Sequence, residues 1–225
     1  RISHYEVLNS QELGFNRHIV LIRSEKQKLF ESLKNELDQK FILIDAKIKE
    51  ISSHNALERL SIYKKAKAEQ GDVPNSLTVM NVLNSSFNSK EYLNKIVAIE
   101  SNYDAEISSI SFSLECDEVS KNLEAPIKEA LSLKKMKIKD MGGENHFKVI
   151  IRSDIQKASS YGFTLARSAI EITLKDHKNS IVGSAKLNIT GQSTQGYEIA
   201  KESVAMKFAE MIKKDGIAKI LGLEL

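Results

Sequence analysis

Residue types that could do chemistry are scattered in this sequence. Metal sites on helices usually begin with two histidines three or four residues apart. The five histidines lack that spacing: His4, His18, His54, His146 and His177. No nucleophile-elbow, Walker A, zincin or dinucleotide-binding motif occurs. The sequence therefore predicts no metal, no cofactor and no catalytic residue, and we expect a protein that is not an enzyme. We also expect His54 and His177 in turns and His18 at the start of a helix.

The single cysteine limits the covalent chemistry of the chain. Cys116 alone allows neither an internal disulfide framework nor a cysteine-rich zinc site. Its neighbours Glu115 and Asp117 are acidic, and like charge disfavours a thiolate. We expect Cys116 to be an inert packing residue.

One polar segment has the composition of an anion cradle. It precedes a predicted helix and is rich in hydroxyl and amide groups. The candidate residues for an anion or partner loop are Thr190, Gly191, Gln192, Ser193 and Thr194. Their spacing matches no established phosphate motif, so a loop with a helix cap is the simpler interpretation.

A second candidate is a short basic segment. Its lysines alternate with Met136 and Ile138, which predicts an exposed or edge strand. The four basic residues are Lys134, Lys135, Lys137 and Lys139. Clustered lysines suit anionic lipid or glycan. A solvated edge strand, in which lysines oppose aggregation, is the simpler interpretation.

Composition narrows the class of protein. The chain has 225 residues, of which 41% are hydrophobic and 28% charged, as in a folded protein. Its 33 basic and 30 acidic residues are interspersed and its aromatic residues are dispersed, so nucleic acid is not an expected partner. No apolar run approaches the roughly 20 residues of a membrane span. The sequence begins at Arg1 without a methionine, so we expect that an export signal was removed.

The N-terminal region, 1–75, is predicted to be a helical hairpin. Apolar residues recur every three or four positions from Ile22 to Ile51, which indicates a long amphipathic helix. Leu57 to Ala66 continue this spacing in a second helix that ends at Gly71. The first stripe also suits an intermolecular coiled coil, so a homodimer through residues 19–51 is the alternative to an internal hairpin.

The middle region, 76–141, is predicted to mix helices and strands. A helix should begin near Ser89, and Ser76–Leu83 suit a strand or a helical turn. Alternation at Ile110–Leu114 predicts a further strand, and Leu123–Leu131 a helix with Pro126 in its first turn. Met141–Gly143 has the composition of a linker.

The C-terminal region, 144–225, is the best-defined module. Alternating apolar residues predict strands at 147–153, 163–175 and 180–190, with a polar turn at Asp176–Asn179. A helix over 197–214 should cover one face of the sheet. We therefore predict an α+β fold in which a helical N-terminal arm precedes small antiparallel-sheet modules, each covered by a helix.

The C-terminal module resembles small α+β modules of Gram-negative envelope proteins. The residues concerned are Ala169–Leu174, Asp176–Asn179, Ile181–Ala185 and Ala200–Ile212. Similar patterns occur in the N-terminal domain of the translocation protein TolB and in lipoprotein activators of penicillin-binding proteins. The start of this sequence lacks a lipid-attachment cysteine, so the resemblance does not predict a lipid anchor. The Lys, Asn, Ser and Ile bias without tryptophan also resembles secreted envelope proteins of Helicobacter and its relatives.

Together these patterns lead to two functional hypotheses. The first is an exported, non-enzymatic protein, secreted or periplasmic, that acts through protein contacts at the bacterial envelope or outside the cell. The alternative is a periplasmic or surface ligand-binding protein or enzyme with a site in a cleft between domains.

Overall fold

The structure is a computed structural model that describes residues 5–223. Its helices and strands form an α+β fold, as predicted. Contacts group the chain into two compact units. The first takes the chain up to His54 and resumes over Ile62–Tyr103, and the second takes Asn55–Ser61 and the chain from Asp104 onward. The predicted middle region is divided between them.

The first unit begins with a two-stranded antiparallel sheet. Its strands are β1 (Tyr5–Glu12) and β2 (His18–Ser24), and α1 (Lys26–Lys49) follows directly. The predicted helix over 19–51 is therefore wrong in its first turns. The run from Ile19 to Ile22 is rich in β-branched residues, which favour extended backbone. Glu25 is also extended, so the helix cannot start earlier.

Three further helices follow a short 3₁₀ turn at Glu50–Ser53: α2 (Ala56–Gln70), α3 (Val73–Leu83) and α4 (Lys90–Ser109). The second predicted helix and the helix after Ser89 are confirmed.

Of the two alternatives for Ser76–Leu83, the strand is wrong and the helix is confirmed, because this segment belongs to α3. Val73, Leu77 and Met80 are buried at the spacing of one helical face. Pro74 lies in the first turn, where its missing N–H costs little.

The core of the first unit draws on α1 and on residues of α2, α3 and α4. Phe41 packs against Tyr92, whose hydroxyl donates to Asp38 at 2.5 Å. Burial, followed by this bond, raises the pKa of Tyr92. The buried cluster contains Phe30, Leu37, Phe41, Ile44, Tyr63, Ala66, Val73, Leu77, Met80, Tyr92 and Ile99. The core of the first unit thus buries apolar residues of α1. A homodimer through residues 19–51 would have to use other residues of that range.

The second unit contains a five-stranded mixed sheet. In chain order its strands are β3 (Ser111–Cys116), β4 (Lys137–Ile138), β5 (His146–Ser160), β6 (Phe163–Lys175) and β7 (Ile181–Ser193). The spatial order is β4-β3-β5-β6-β7, with β3 parallel to both of its neighbours.

The strands of the predicted middle and C-terminal regions therefore share one sheet. The helix α5 (Glu124–Leu133) connects β3 to β4, the crossover that parallel strands require. The segment Met141–Gly143 joins β4 to β5 within the same sheet.

A helical layer covers one face of this sheet. It comprises α6 (Tyr197–Asp215) and the short α7 (Ile217–Ile220), and α6 packs on β6 and β7. Alternate strand residues such as Ile151, Ile172 and Ile189 are buried with Phe208 of α6. The three strands and the helix predicted for the C-terminal region are present, with β5 and β7 longer than expected.

One glycine sets the distance between α6 and β7. A Cβ atom on Gly191 would lie 2.0 Å from the carbonyl oxygen of Ala200. The helix backbone therefore approaches the strand where a larger residue would clash.

The β6–β7 turn is the polar turn predicted from the sequence. The Asp176 carboxylate accepts the backbone N–H groups of Lys178 and Ser180, both at 2.8 Å. Asn179 adopts a positive φ of 64°. Asparagine tolerates this conformation better than most residues.

Candidate interaction surface

The β1–β2 hairpin exposes its apolar side chains. Every residue of β1 is exposed, and in β2 only Ser24 is half-buried. Leu21 is 58% exposed and Ile19 57%. The exposed apolar residues of the hairpin are Tyr5, Val7, Leu8, Leu13, Phe15, Ile19, Val20, Leu21 and Ile22. Contiguous apolar surface of this kind marks interaction sites in soluble proteins.

The tip of the hairpin turns an aromatic ring outward. Gly14, Phe15 and Asn16 have φ values of 82°, 51° and 58°. Leu13 N–H donates to the Arg17 carbonyl at 2.8 Å, and Arg17 N–H donates to that of Gly14 at 3.1 Å. Phe15 is fully exposed. A bulky residue at positive φ is uncommon and costs on the order of 1 kcal/mol or more.

The two edges of the hairpin differ. The register of β1 shifts between Val7 and Asn9, and this strand carries Glu6 and Glu12. Bulges and charges are the usual means by which edge strands avoid pairing with other chains. The centre of β2, from Ile19 to Ile22, is uncharged and apolar. The β2 edge therefore lacks the protection that β1 has.

The residues predicted to form an anion loop lie mostly in a strand. Thr190, Gly191, Gln192 and Ser193 end β7, so the predicted loop is wrong for these four, and Thr194 follows as an exposed residue. Ser193 Oγ accepts the Gln195 N–H at 2.9 Å, and the Thr190 carbonyl accepts Lys207 Nζ at 2.7 Å. Apolar and polar residues alternate up to Ile189. Gly191 interrupts this alternation, so the last residues of the strand were not predicted. Anion binding here stays a prediction.

The four lysines surround the edge strand β4, and all are exposed. Lys137 lies in β4, which confirms the predicted edge strand, and its Nζ donates to the Ser108 carbonyl at 2.5 Å. Lys134 caps α5, Lys135 has a φ of 60°, and the Lys139 N–H donates to the Phe112 carbonyl. Binding of anionic lipid or glycan stays a prediction.

The histidines are placed in different ways. His54 lies in a bend and His177 in the β6–β7 turn, as predicted. His18 lies in β2 opposite Glu12, so its predicted position at a helix start is wrong. His4 lies outside the described residues.

A polar cluster that sequence reasoning missed joins β3 to β5. The His146 ring nitrogens Nδ1 and Nε2 lie 2.9 Å from Ser111 Oγ and 3.0 Å from Ser113 Oγ. Parallel pairing of Ser111 with His146 places these side chains on one face. Burial lowers the pKa of His146, and the charge of Lys139 adds to this.

This cluster differs from a catalytic triad. A serine nucleophile needs a histidine whose second nitrogen is oriented by a carboxylate. Both nitrogens of His146 face serine hydroxyls instead. The arrangement ties two strands together, and the alternation at Ser111 and Ser113 was its only sequence signal.

The cysteine behaves as the sequence predicts. Burial, followed by the charges of Glu124 and Asp117, raises the pKa of the Cys116 thiol to about 11. A thiol with such a pKa is a weak nucleophile at neutral pH. Within residues 5–223, no group of three His, Cys, Asp or Glu side chains is placed to hold a metal ion.

A small cavity lies in the second unit beside α6. Its volume is about 230 Å³, and its lining includes Val119, Ile155, Lys201 and Val204. Lys201 Nζ is paired with Glu198 at 2.6 Å. The cavity is smaller than the roughly 300 Å³ at which ligand pockets usually begin.

Neither a protein-family model nor a curated protein sequence matches the chain. Solved structures do match. The crystal structure of a minor lipoprotein from Acinetobacter baumannii is 16% identical, with a TM-score of 0.40 over 50% of this chain and 94% of that one.

Two further matches are the solution structure of uncharacterized lipoprotein B from Nitrosomonas europaea and a PelC dodecamer from Paraburkholderia phytofirmans. The first is 13% identical, with a TM-score of 0.32 over 50% of this chain and 79% of that one. The second is 11% identical, with a TM-score of 0.32 over 52% and 88%. TM-scores this low establish neither a common fold nor a common function. The likeness to TolB and the Helicobacter origin stay predictions.

In the described part of the chain, no helix combines the length and the apolar character that crossing a bilayer requires.

Proposed function

We propose that this protein is exported and acts, without enzymatic activity, through protein–protein contacts at the bacterial envelope or outside the cell. The observation that supports the proposal is the apolar β1–β2 hairpin, which exposes a strand edge, both faces and an aromatic tip. Burying such surface against a partner is favourable at about 25 cal/mol per Å² of apolar area.

The hairpin also lacks the support that would make it stable by itself. A two-stranded sheet is marginal in water unless it packs on something else. Its residues are almost all exposed, so little of its surface packs on its own unit. A partner that covers the hairpin would therefore stabilise it as well as bind it.

The test is photo-crosslinking in living cells, combined with separation of cytosol, periplasm, envelope and medium. A photoreactive phenylalanine analogue replaces Phe15 in the protein expressed from its own gene. The matched control places the same analogue at Tyr161, which is also fully exposed at a hairpin tip with positive φ, 49°. We expect a discrete protein adduct from position 15, in an extracytoplasmic fraction, and none from position 161.

Two results would overturn the proposal. One is equal crosslinking from both positions, which would show that exposure alone explains the adducts. The other is recovery of the protein in the cytosol with a bound small molecule, which would favour the ligand-binding alternative.

A further inference from the structure

We propose that two copies of this chain associate through β2. The two β2 strands pair antiparallel with Leu21 at the twofold axis, which joins the two hairpins into one four-stranded sheet. This inference rests on the proposed function, because it identifies the protein partner of the hairpin as a second copy of this chain. It also centres the contact at Leu21, within residues 19–51, in the strand rather than in the helix.

The choice of edge follows from the asymmetry of the hairpin. Pairing two β1 strands about Asn9 would oppose Glu6 to Glu12 twice and would have to accommodate the register shift beside Val7. Like charges directly opposite one another destabilise a strand pair. Pairing two β2 strands opposes apolar residues instead, which is how such cross-strand pairs stabilise a sheet.

Charge fixes the register of the β2 pair. With the twofold axis at Leu21, Arg17 stands opposite Glu25 of the second copy, and the same pair recurs at the other end. The backbone of Glu25 is extended, with φ −76° and ψ 125°, so it continues the strand into the pairing position. Both ends of the contact then bring opposite charges together, and Glu25 would share its carboxylate between Arg17 and the exposed Lys28, which lies 3.0 Å from it.

Neighbouring registers lose this complementarity. An axis at Val20 would oppose Arg17 to Arg23 of the second copy. The axis at Leu21 also places Val20 opposite Ile22, so the apolar centre of the strand meets itself. Shifting the register by one residue would move these side chains to the other face of the sheet.

The pairing also gives the hairpin what it lacks. Two strands with solvent on both faces are marginal, whereas a sheet of four strands approaches the usual size of stable sheets. Within the described residues the outer edge of β2 has no strand partner.

The experiment places a thiol on the proposed axis. Leu21→Cys is made together with Cys116→Ser, which leaves one thiol per chain. Directly opposite residues of antiparallel strands have Cβ atoms about 4.5–5.5 Å apart, close enough for a disulfide after a small adjustment. We expect mild oxidation to convert most of this variant to a covalent dimer.

The matched control is Asn9→Cys in the same background. Asn9 pairs with Leu21 inside the hairpin and lies on the same face, but on β1. In the proposed sheet the two copies of position 9 would lie three strand spacings apart, about 14 Å. We expect oxidation to form no covalent dimer of this variant, although its β2 strands can still pair. Equal dimer yields from the two variants would overturn the pairing through the β2 edge.

A charge exchange tests the register without any cysteine. Arg17→Glu and Glu25→Arg should each weaken dimerisation, measured by sedimentation equilibrium, by on the order of tenfold, since each change creates two like-charge pairs. The double variant should regain the affinity of the original chain. Single and double variants that dimerise equally well would exclude the Leu21 register.

This inference and the proposed function can fail separately. A chain that is monomeric at every concentration, with no disulfide from Leu21→Cys, excludes the second copy as the partner. The Phe15 crosslink in cells would then still identify a different protein on the hairpin. If the dimer formed but the Phe15 crosslink were absent, the chain would self-associate without a partner in the envelope.

Discussion

The two sheets of this protein bury their side chains to very different extents. In the five-stranded sheet, alternate residues of β5, β6 and β7 are buried, and α6 packs on β6 and β7. In the two-stranded sheet, every residue except Ser24 is exposed, although β2 is largely apolar in sequence. The same residue types thus form a core in one sheet and open surface in the other.

Apolar content alone therefore does not identify a core strand. What separates the sheets is a covering helix supplied by the same chain, because burial, not strand formation, provides most of the stabilisation. The proposed partner would supply the cover that β2 lacks.

The largest expected contrast is in hydrogen exchange. Amides of β6 are held by two neighbouring strands and a covered face, so they should open only with global unfolding. Amides of β2 should exchange with almost no protection in dilute protein. The exchange rates should differ by on the order of a thousandfold or more.

Mass-spectrometric exchange at two protein concentrations checks this contrast. In the concentrated sample, protection should rise in the peptide that spans Ile19–Ile22 and stay constant in β6. Protection of β2 that equals that of β6 at high dilution would show that the hairpin is stable without a partner.

Matched phenylalanine truncations test the same contrast by stability. Phe208 is fully buried in α6 and Phe15 is fully exposed at the hairpin tip. Phe208→Ala should lower the free energy of unfolding by about 3–5 kcal/mol. Phe15→Ala should change it by less than about 0.5 kcal/mol. Urea denaturation followed by circular dichroism measures both, and similar losses would contradict the assignment of Phe15 to open surface.

The contact between α6 and β7 should tolerate no added volume at Gly191. Gly191→Ala places a Cβ against the Ala200 carbonyl oxygen, and we expect a loss of about 1–3 kcal/mol in the free energy of unfolding. Gly143→Ala is the control, since no atom lies within 4 Å of its Cβ position. If both variants were equally stable by urea denaturation, the helix would not be packed as closely on the strand as described.

How well the sequence predicted the fold depended on the local pattern. Strands β6 and β7 and helix α6 were found because alternation and helical spacing are long there and are bounded by turn residues such as Asp176 and Gly196. The strand at β2 was missed because Ile22 also fits the apolar spacing of α1. The turn residues Gly14 and Asn16, followed by a β-branched run, were the signal that separated them.

The candidate surface was harder to predict than the fold. Exposure is a property of what packs on a residue, and no local pattern states it. Leu77 lies in a segment with β-branched residues that nevertheless forms a helix, because its apolar face packs in the core with residues of α1. The His146 cluster depends on the parallel register of β3 and β5, which brings together residues more than 30 positions apart.

The smallest expected effect concerns pH and the His146 cluster. Burial lowers the pKa of folded His146 below its ordinary value of 6.5. As the pH falls through about 6.5, the unfolded chain therefore takes up a proton before the folded chain does. The stability that neutral His146 contributes is present above this pH and is lost as the pH falls below it.

The comparison of the original chain with His146→Gln isolates this contribution. Free energies of unfolding are measured by urea denaturation between about pH 7.5 and pH 5, a range that spans the ordinary histidine pKa. The original chain should lose more stability than the variant over this range, because only it contains the buried imidazole. Parallel curves would mean that the imidazole is as easily protonated in the sheet as in water. The link between β3 and β5 would then differ from the exposed hairpin in geometry alone, not in its electrostatic environment.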